Sequence, residues 1–202
     1  MTIPNWTNDV LQGLCYWVGH RYSYYFDYPL GESALVGELC NLLSAKITSD
    51  QKLLSEVMRK NLGVKTKDST RCDLVIVNKA AGGRDDDVSN DVITALEIKR
   101  SCAGDNKFIE DLYRQHEFLK AQSSLGSQAQ AFLIVVSQRE RPSTFVTEQG
   151  CAVKREKTCE YDDGNSIHTV KYHVRRVCKA TNSFGDQAPE SAYYAVMIEV
   201  VL

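Results

Sequence analysis

Three stretches of this chain, RCDLVIVN (71–78), VITALEIK (92–99) and QAFLIVVS (130–137), are apolar and β-branched almost from end to end. Runs of that length and composition belong to buried strands, so other parts of the chain must cover them. Residues 6–26 can do so as a helix, with Thr7 or Asn8 as N-cap and Val10, Leu11, Leu14, Tyr16, Trp17 and Val18 at helical spacing. Pro29 and Gly31 end it. A second helix is expected over 32–46, on the stripe Leu35, Val36, Leu39, Leu42 and Leu43, and a third over 49–62, with Ser49 near its cap and Gly63 as its stop. A fourth, 106–122, turns Phe108, Ile109, Leu112 and Leu119 inward between the second and third apolar runs.

The segment KAAGGRDDDVSND, 79–91, makes the first two runs a hairpin with a solvated acidic tip. Further on, 151–178 reads as two arms around DDGN, a tight-turn sequence, and AYYAVMIEVVL closes the chain as a strand. The second arm alternates, with Val170, Tyr172 and Val174 on one face and Lys171, His173 and Arg175 on the other. The expected fold is a single α/β domain over 1–202: a mixed sheet flanked by helices, with an additional β-hairpin in the C-terminal third. Within it, 1–30 holds the N-terminal helix, 31–137 the core, and 138–202 the hairpin and closing strand.

Apolar runs stay below the ~18 residues a membrane span needs, and the N-terminus lacks the basic start and apolar core of a signal peptide. Seven cysteines form no framework spacing, which suits reduced thiols in a cytoplasmic protein. Cys151, Cys159, His168, His173 and Cys178 lack the paired close spacings of a zinc site. With 24 basic and 26 acidic side chains the net charge is −2, so any nucleic-acid surface must be local or assisted by a metal or partner.

Within the second run, Glu97 and Lys99 project from the same face of an otherwise apolar strand. Burying such a charge without a partner costs on the order of 3–5 kcal/mol. Asp73, at the start of the neighbouring strand, can approach Glu97. Two adjacent carboxylates repel unless a divalent cation neutralises them, and a lysine beside that cation can order a water or stabilise phosphate charge. On a helical wheel Glu32 falls near the centre of the second helix's apolar stripe, whereas Glu38 lies to its side, so Glu32 is the favoured helix acid and Glu38 the runner-up.

GESALVGELCNLL, RCDLVIV, ALEIKR and FIEDLYRQHEFL together resemble the PD-(D/E)xK nuclease superfamily, which includes many restriction endonucleases. The resemblance covers roughly 30–137. It implies a restriction-endonuclease-like sheet and a Mg²⁺-dependent endodeoxyribonuclease, of restriction or phage-defence type, with Mn²⁺ as substitute. It also implies that Asp73, Glu97 and the backbone carbonyl of Ile98 bind the metal, that Glu32 binds it directly or through water, and that Lys99 positions or deprotonates the attacking water. Cys72 stands where the motif has proline. Arg114 and Gln115 fall where such enzymes often face substrate, and Lys171, His173, Arg175 and Arg176 form a candidate DNA-backbone ribbon. DNA is the implied partner, with a homodimer expected because restriction-type members commonly pair. Three other readings stay open: a nuclease on structured or single-stranded nucleic acid in repair or recombination, an effector switched on by a protein or second messenger, and a non-catalytic subunit that keeps the fold.

Overall fold

The computed structural model describes residues 2–24, 30–66, 69–181 and 188–202. Two helices come first, α1 (Thr7–Tyr24) and α2 (Glu32–Ser44), followed by strands β1 (Gln51–Met58), β2 (Arg71–Asn78) and β3 (Val92–Arg100). Helix α3 (Asp105–Ser124) leads to β4 (Gln130–Ser137). The rest comprises β5 (Lys157–Asp162), β6 (Ile167–Ala180), the short α4 (Ala188–Ser191) and β7 (Tyr193–Val201). Expected residues Tyr25, Phe26 and Pro29, at and beyond the end of the first helix, lie outside the described residues.

All seven strands form one mixed sheet in the order β1-β2-β3-β4-β7-β6-β5. Among the described residues only β3 and β4 pair in parallel; α3 carries the chain across between them, as a parallel connection requires. Helices cover both faces. On one, Leu11, Leu14 and Val18 of α1 and Leu35, Leu39 and Leu43 of α2 pack on Leu74, Ile76, Leu96, Ile98 and Ile134. On the other, Phe108, Leu112, Phe118 and Leu119 of α3 pack on Val75, Ala95, Leu133, Val135 and Val196. The mixed α/β architecture is therefore the expected one, and the hairpin in the C-terminal third is β5–β6, turned through Gly164 at φ 85°.

The expected helix over 49–62 does not form. Residues 51–58 are the edge strand β1, antiparallel to β2, and Arg59–Leu62 make a single 3-10 turn. Leu53, Leu54, Val57 and Met58 keep helical spacing, and pairing with β2 overrides it. Gly63 is still a stop: at φ 83° its N–H caps the 3-10 turn. Nor is the acidic tip wholly solvated. Val88 and Ser89 are buried, and Val88 N–H donates to the Asn61 carbonyl at 2.9 Å.

Glu56 breaks the regularity of β1. Its φ is 55°, left-handed backbone that costs a non-glycine residue about 1–2 kcal/mol. The consequence shows in the alternation: Leu53 packs on the α1/α2 side, but Val57, four residues on, packs on the α3 side. The reversal carries the following turn, with Arg59, beneath α3. Glu56→Gly should accordingly hold or raise stability by up to about 1 kcal/mol in urea unfolding, while Ser55→Gly in the same strand should lower it by about 0.5–1 kcal/mol. Equal losses at both positions would refute the strain.

Candidate active site

The site forms where β2 and β3 part. Their antiparallel ladder ends at the pair Leu74↔Leu96, one step short of Asp73 and Glu97. Two side chains of β2 then take over the backbone groups of β3 that the ladder leaves. Asp73 Oδ2 accepts from the N–H of Ile98 at 2.8 Å, and the Cys72 thiol donates to the carbonyl of Leu96 at 3.4 Å. Burial pushes that thiol well above its ordinary range, so Cys72 acts here as filler and weak donor rather than as a nucleophile.

Glu97 is 5 % exposed, and its carboxyl pairs with the Arg59 guanidinium, itself 3 % exposed. Arg59 also donates from Nη1 to the carbonyl of Arg114 on α3 at 2.8 Å, so one cation ties the turn after β1 to β3 and α3. The Glu97 and Asp73 carboxyls lie within hydrogen-bond reach of each other. Burial pushes Glu97 from an ordinary 4.5 up to about 8; the negative charges of Asp73 and Asp111 add to the rise, and Arg59 only partly offsets it. Asp73 is raised too, mainly by burial, against the Ile98 N–H that stabilises its ionised form. At neutral pH burial thus holds Glu97 towards its protonated, neutral form.

Lys99 extends the cluster. Its Nζ lies 3.3 Å from Glu32 Oε2 at the start of α2 and 3.3 Å from Asp111 Oδ2 on α3. Burial pulls the Lys99 pKa down, but the two carboxylates outweigh it and hold the ammonium above its usual range. Asp111 in turn contacts Arg114 Nη1 at 3.2 Å, and Arg114 also binds Glu110.

The structure therefore brings together Asp73, Glu97, Lys99 and Glu32, with Ile98 supplying the backbone between the two carboxyls. Glu32 is not the core-facing acid its wheel position suggests: its side chain is 42 % exposed and reaches out to Lys99. Glu38 is elsewhere on α2, with Asn41 of the same helix 3.5 Å away. Arg114 borders the site. Gln115 does not, since it is fully buried and donates to the Phe132 carbonyl at 3.4 Å, which leaves no surface for a substrate.

The basic ribbon on β6 is largely neutralised. Arg175 pairs with buried Glu199, and His173 Nε2 lies 3.2 Å from Glu156. A register shift between Val174 and Arg176 also breaks the alternation that lined the cations up, leaving Lys171 and Arg176 exposed. β6 sits three strands from β3, about 14 Å at normal inter-strand spacing.

Arg59 and Asp111 belong to this site and were not foreseen. Asp111 was legible: with Phe108, Leu112 and Gln115 it falls on the inward stripe of α3, where an acid needs a partner. Arg59 was hidden by reading 49–62 as a helix.

A carboxyl whose pKa rises on folding binds its proton more tightly in the native than in the unfolded chain. The stability this supplies is complete below the ordinary glutamate range and is lost as pH climbs through about 8. Compared with Glu97→Gln, which cannot titrate, the wild type should lose at least about 3 °C of Tm between pH 5 and pH 8.5 in metal-free buffer. Parallel pH profiles by calorimetry would contradict a buried, proton-holding Glu97.

Compared with models of protein families, with characterised proteins and with solved structures, this chain matches none.

Proposed function

We propose that this protein is a metal-dependent endodeoxyribonuclease of the PD-(D/E)xK type, with a restriction-endonuclease-like core formed by α2, β1–β3, α3 and β4. The observation that carries the reading is the convergence of the Asp73 and Glu97 carboxyls where β2 and β3 part, with Lys99 two residues on.

The chemistry of these donors suits Mg²⁺. A buried carboxyl beside a half-buried one, both raised in pKa by burial, is a pair a dication can neutralise, and the Ile98 carbonyl lies on the strand between Glu97 and Lys99. Among the described residues no three His, Cys, Asp or Glu side chains form a ready metal-binding group. Mg²⁺ does not need one: it commonly takes one or two carboxylates and keeps several waters. When bound it would supply charge for the phosphate oxygens and lower the pKa of a water. Glu32 would help hold the metal directly or through water, and Lys99, fixed between Glu32 and Asp111, would orient the attacking water by donating to it. Restriction or phage defence is the setting that the resemblance favours, with DNA as substrate and pairing of two copies as the route to double-strand cutting.

One observation favours a second reading, an effector activated by a partner or second messenger. Glu97 already has a cation beside it, Arg59. Metal binding would compete with that pair, and anything that draws Arg59 away would favour the metal.

Plasmid DNA incubated with the purified protein and Mg²⁺ should be nicked or linearised. Lys99→Ala and Asp73→Asn, the latter keeping an acceptor for the Ile98 N–H, should each reduce cutting by about a hundredfold or more with unchanged circular dichroism. Wild type that leaves DNA and RNA intact in both Mg²⁺ and Mn²⁺ would overturn the reading.

A further inference from the structure

A cavity of about 220 Å³ lies beside the site, between the segment following β1, the outer face of α3 and β5. Its walls include three cations, Arg59, Lys65 and Arg114, and two tyrosines, Tyr113 and Tyr161. The two acids in the lining are engaged: Glu110 with Arg114 at 2.5 Å, and Glu117 with Lys120 at 2.9 Å. Lys65 has no ion-pair partner among the described residues. Arg59 is nine-tenths buried, and its Nε has no hydrogen-bond partner there.

The rings are arranged before any ligand arrives. Tyr113 and Tyr161 stack at 4.3 Å with 18° between their planes, and the His168 ring lies 4.9 Å from Tyr113 on a side chain held by Asp163 at 2.8 Å. An ordered aromatic pile beside cationic donors matches one kind of ligand, a planar base carrying an anion, and stacking on such a platform is insensitive to base identity. Arg59 also connects the cavity to the chemistry, since the same guanidinium pairs with Glu97.

We infer that this cavity binds a nucleotide, its phosphate on Lys65 and Arg59 and its base against Tyr161. The inference deepens the nuclease reading and rests on it: the nucleotide lies next to the residue that holds Glu97. The nucleotide can come from two sources, as a unit of the polynucleotide being cut or as a free effector.

Calorimetric titration of the full chain in EDTA with deoxyadenosine 5′-monophosphate, deoxyadenosine, inorganic phosphate and a short oligodeoxynucleotide tests it. The monophosphate should bind, with the nucleoside and phosphate each weaker by roughly tenfold or more. Tyr161→Ala and Lys65→Glu should each weaken the monophosphate about tenfold; Lys65→Glu alters only a surface side chain and keeps the test valid should Tyr161→Ala disturb the ring pile. If the unit belongs to the substrate, the oligonucleotide will compete with the monophosphate and lose affinity in the same variants. If it is an effector, oligonucleotide binding will ignore the monophosphate, which will instead change the rate of plasmid cutting. Absence of monophosphate binding, or variants that bind it as the wild type does, would overturn the inference. Plasmid cutting without monophosphate binding removes the cavity and keeps the nuclease; monophosphate binding by a protein that never cuts removes the nuclease and keeps the cavity.

Discussion

The buried carboxyl of Glu97 is the constraint around which this end of the molecule is organised. An ionised carboxyl at the centre of a sheet is expensive, which pushes Glu97 towards its neutral form, and removing one partner of a buried pair typically costs about 3–5 kcal/mol. Arg59 meets that demand, and in doing so it dictates much else. It must lie beneath α3, so the chain leaving β1 has to turn under the helix, and the left-handed Glu56 reverses the strand's alternation just before that turn. The Arg59 bond to the Arg114 carbonyl then fixes α3 over β3, which places Asp111 against Lys99.

A second consequence is the opening itself. Were β2 and β3 paired to their ends, backbone bonds would fill the space that Asp73 and Cys72 now span. The ladder instead stops at Leu74↔Leu96, and side-chain bonds to Ile98 N–H and Leu96 O satisfy the polar groups that remain. The half-buried Asp73 and the buried Glu97 carboxyls are thereby held close. The result is a site with two acids raised in pKa by burial, beside an ammonium held by two further carboxylates. Perturbed groups of this kind cluster at functional sites.

The sheet and its principal helices were legible because their signals were long and unambiguous: QAFLIVVS is β4 to the residue, and the stripe from Phe108 to Leu119 is α3. Period-two geometry also put Glu97 and Lys99 on one face and Asp73 within reach. What stayed hidden depended on non-local pairing. Residues 51–58 carry apolar residues at helical spacing, and pairing with β2 overrides that pattern. With β1 misread, Arg59 had no place beside Glu97. Gln115 shows the converse limit: a position at the edge of an apolar stripe could face out or in, and packing beneath β4 turned it in. Likewise, Arg175 looked like a solvent-facing cation until the fold set Glu199 opposite it.

The most direct measurement is a crystal grown or soaked in Mn²⁺ and read by its anomalous signal. A peak coordinated by the Asp73 and Glu97 carboxylates and the Ile98 carbonyl, with Arg59 drawn back from Glu97, is the expected result. An unchanged Arg59–Glu97 pair with no manganese between Asp73 and Glu97 would contradict a metal-dependent active site at this position.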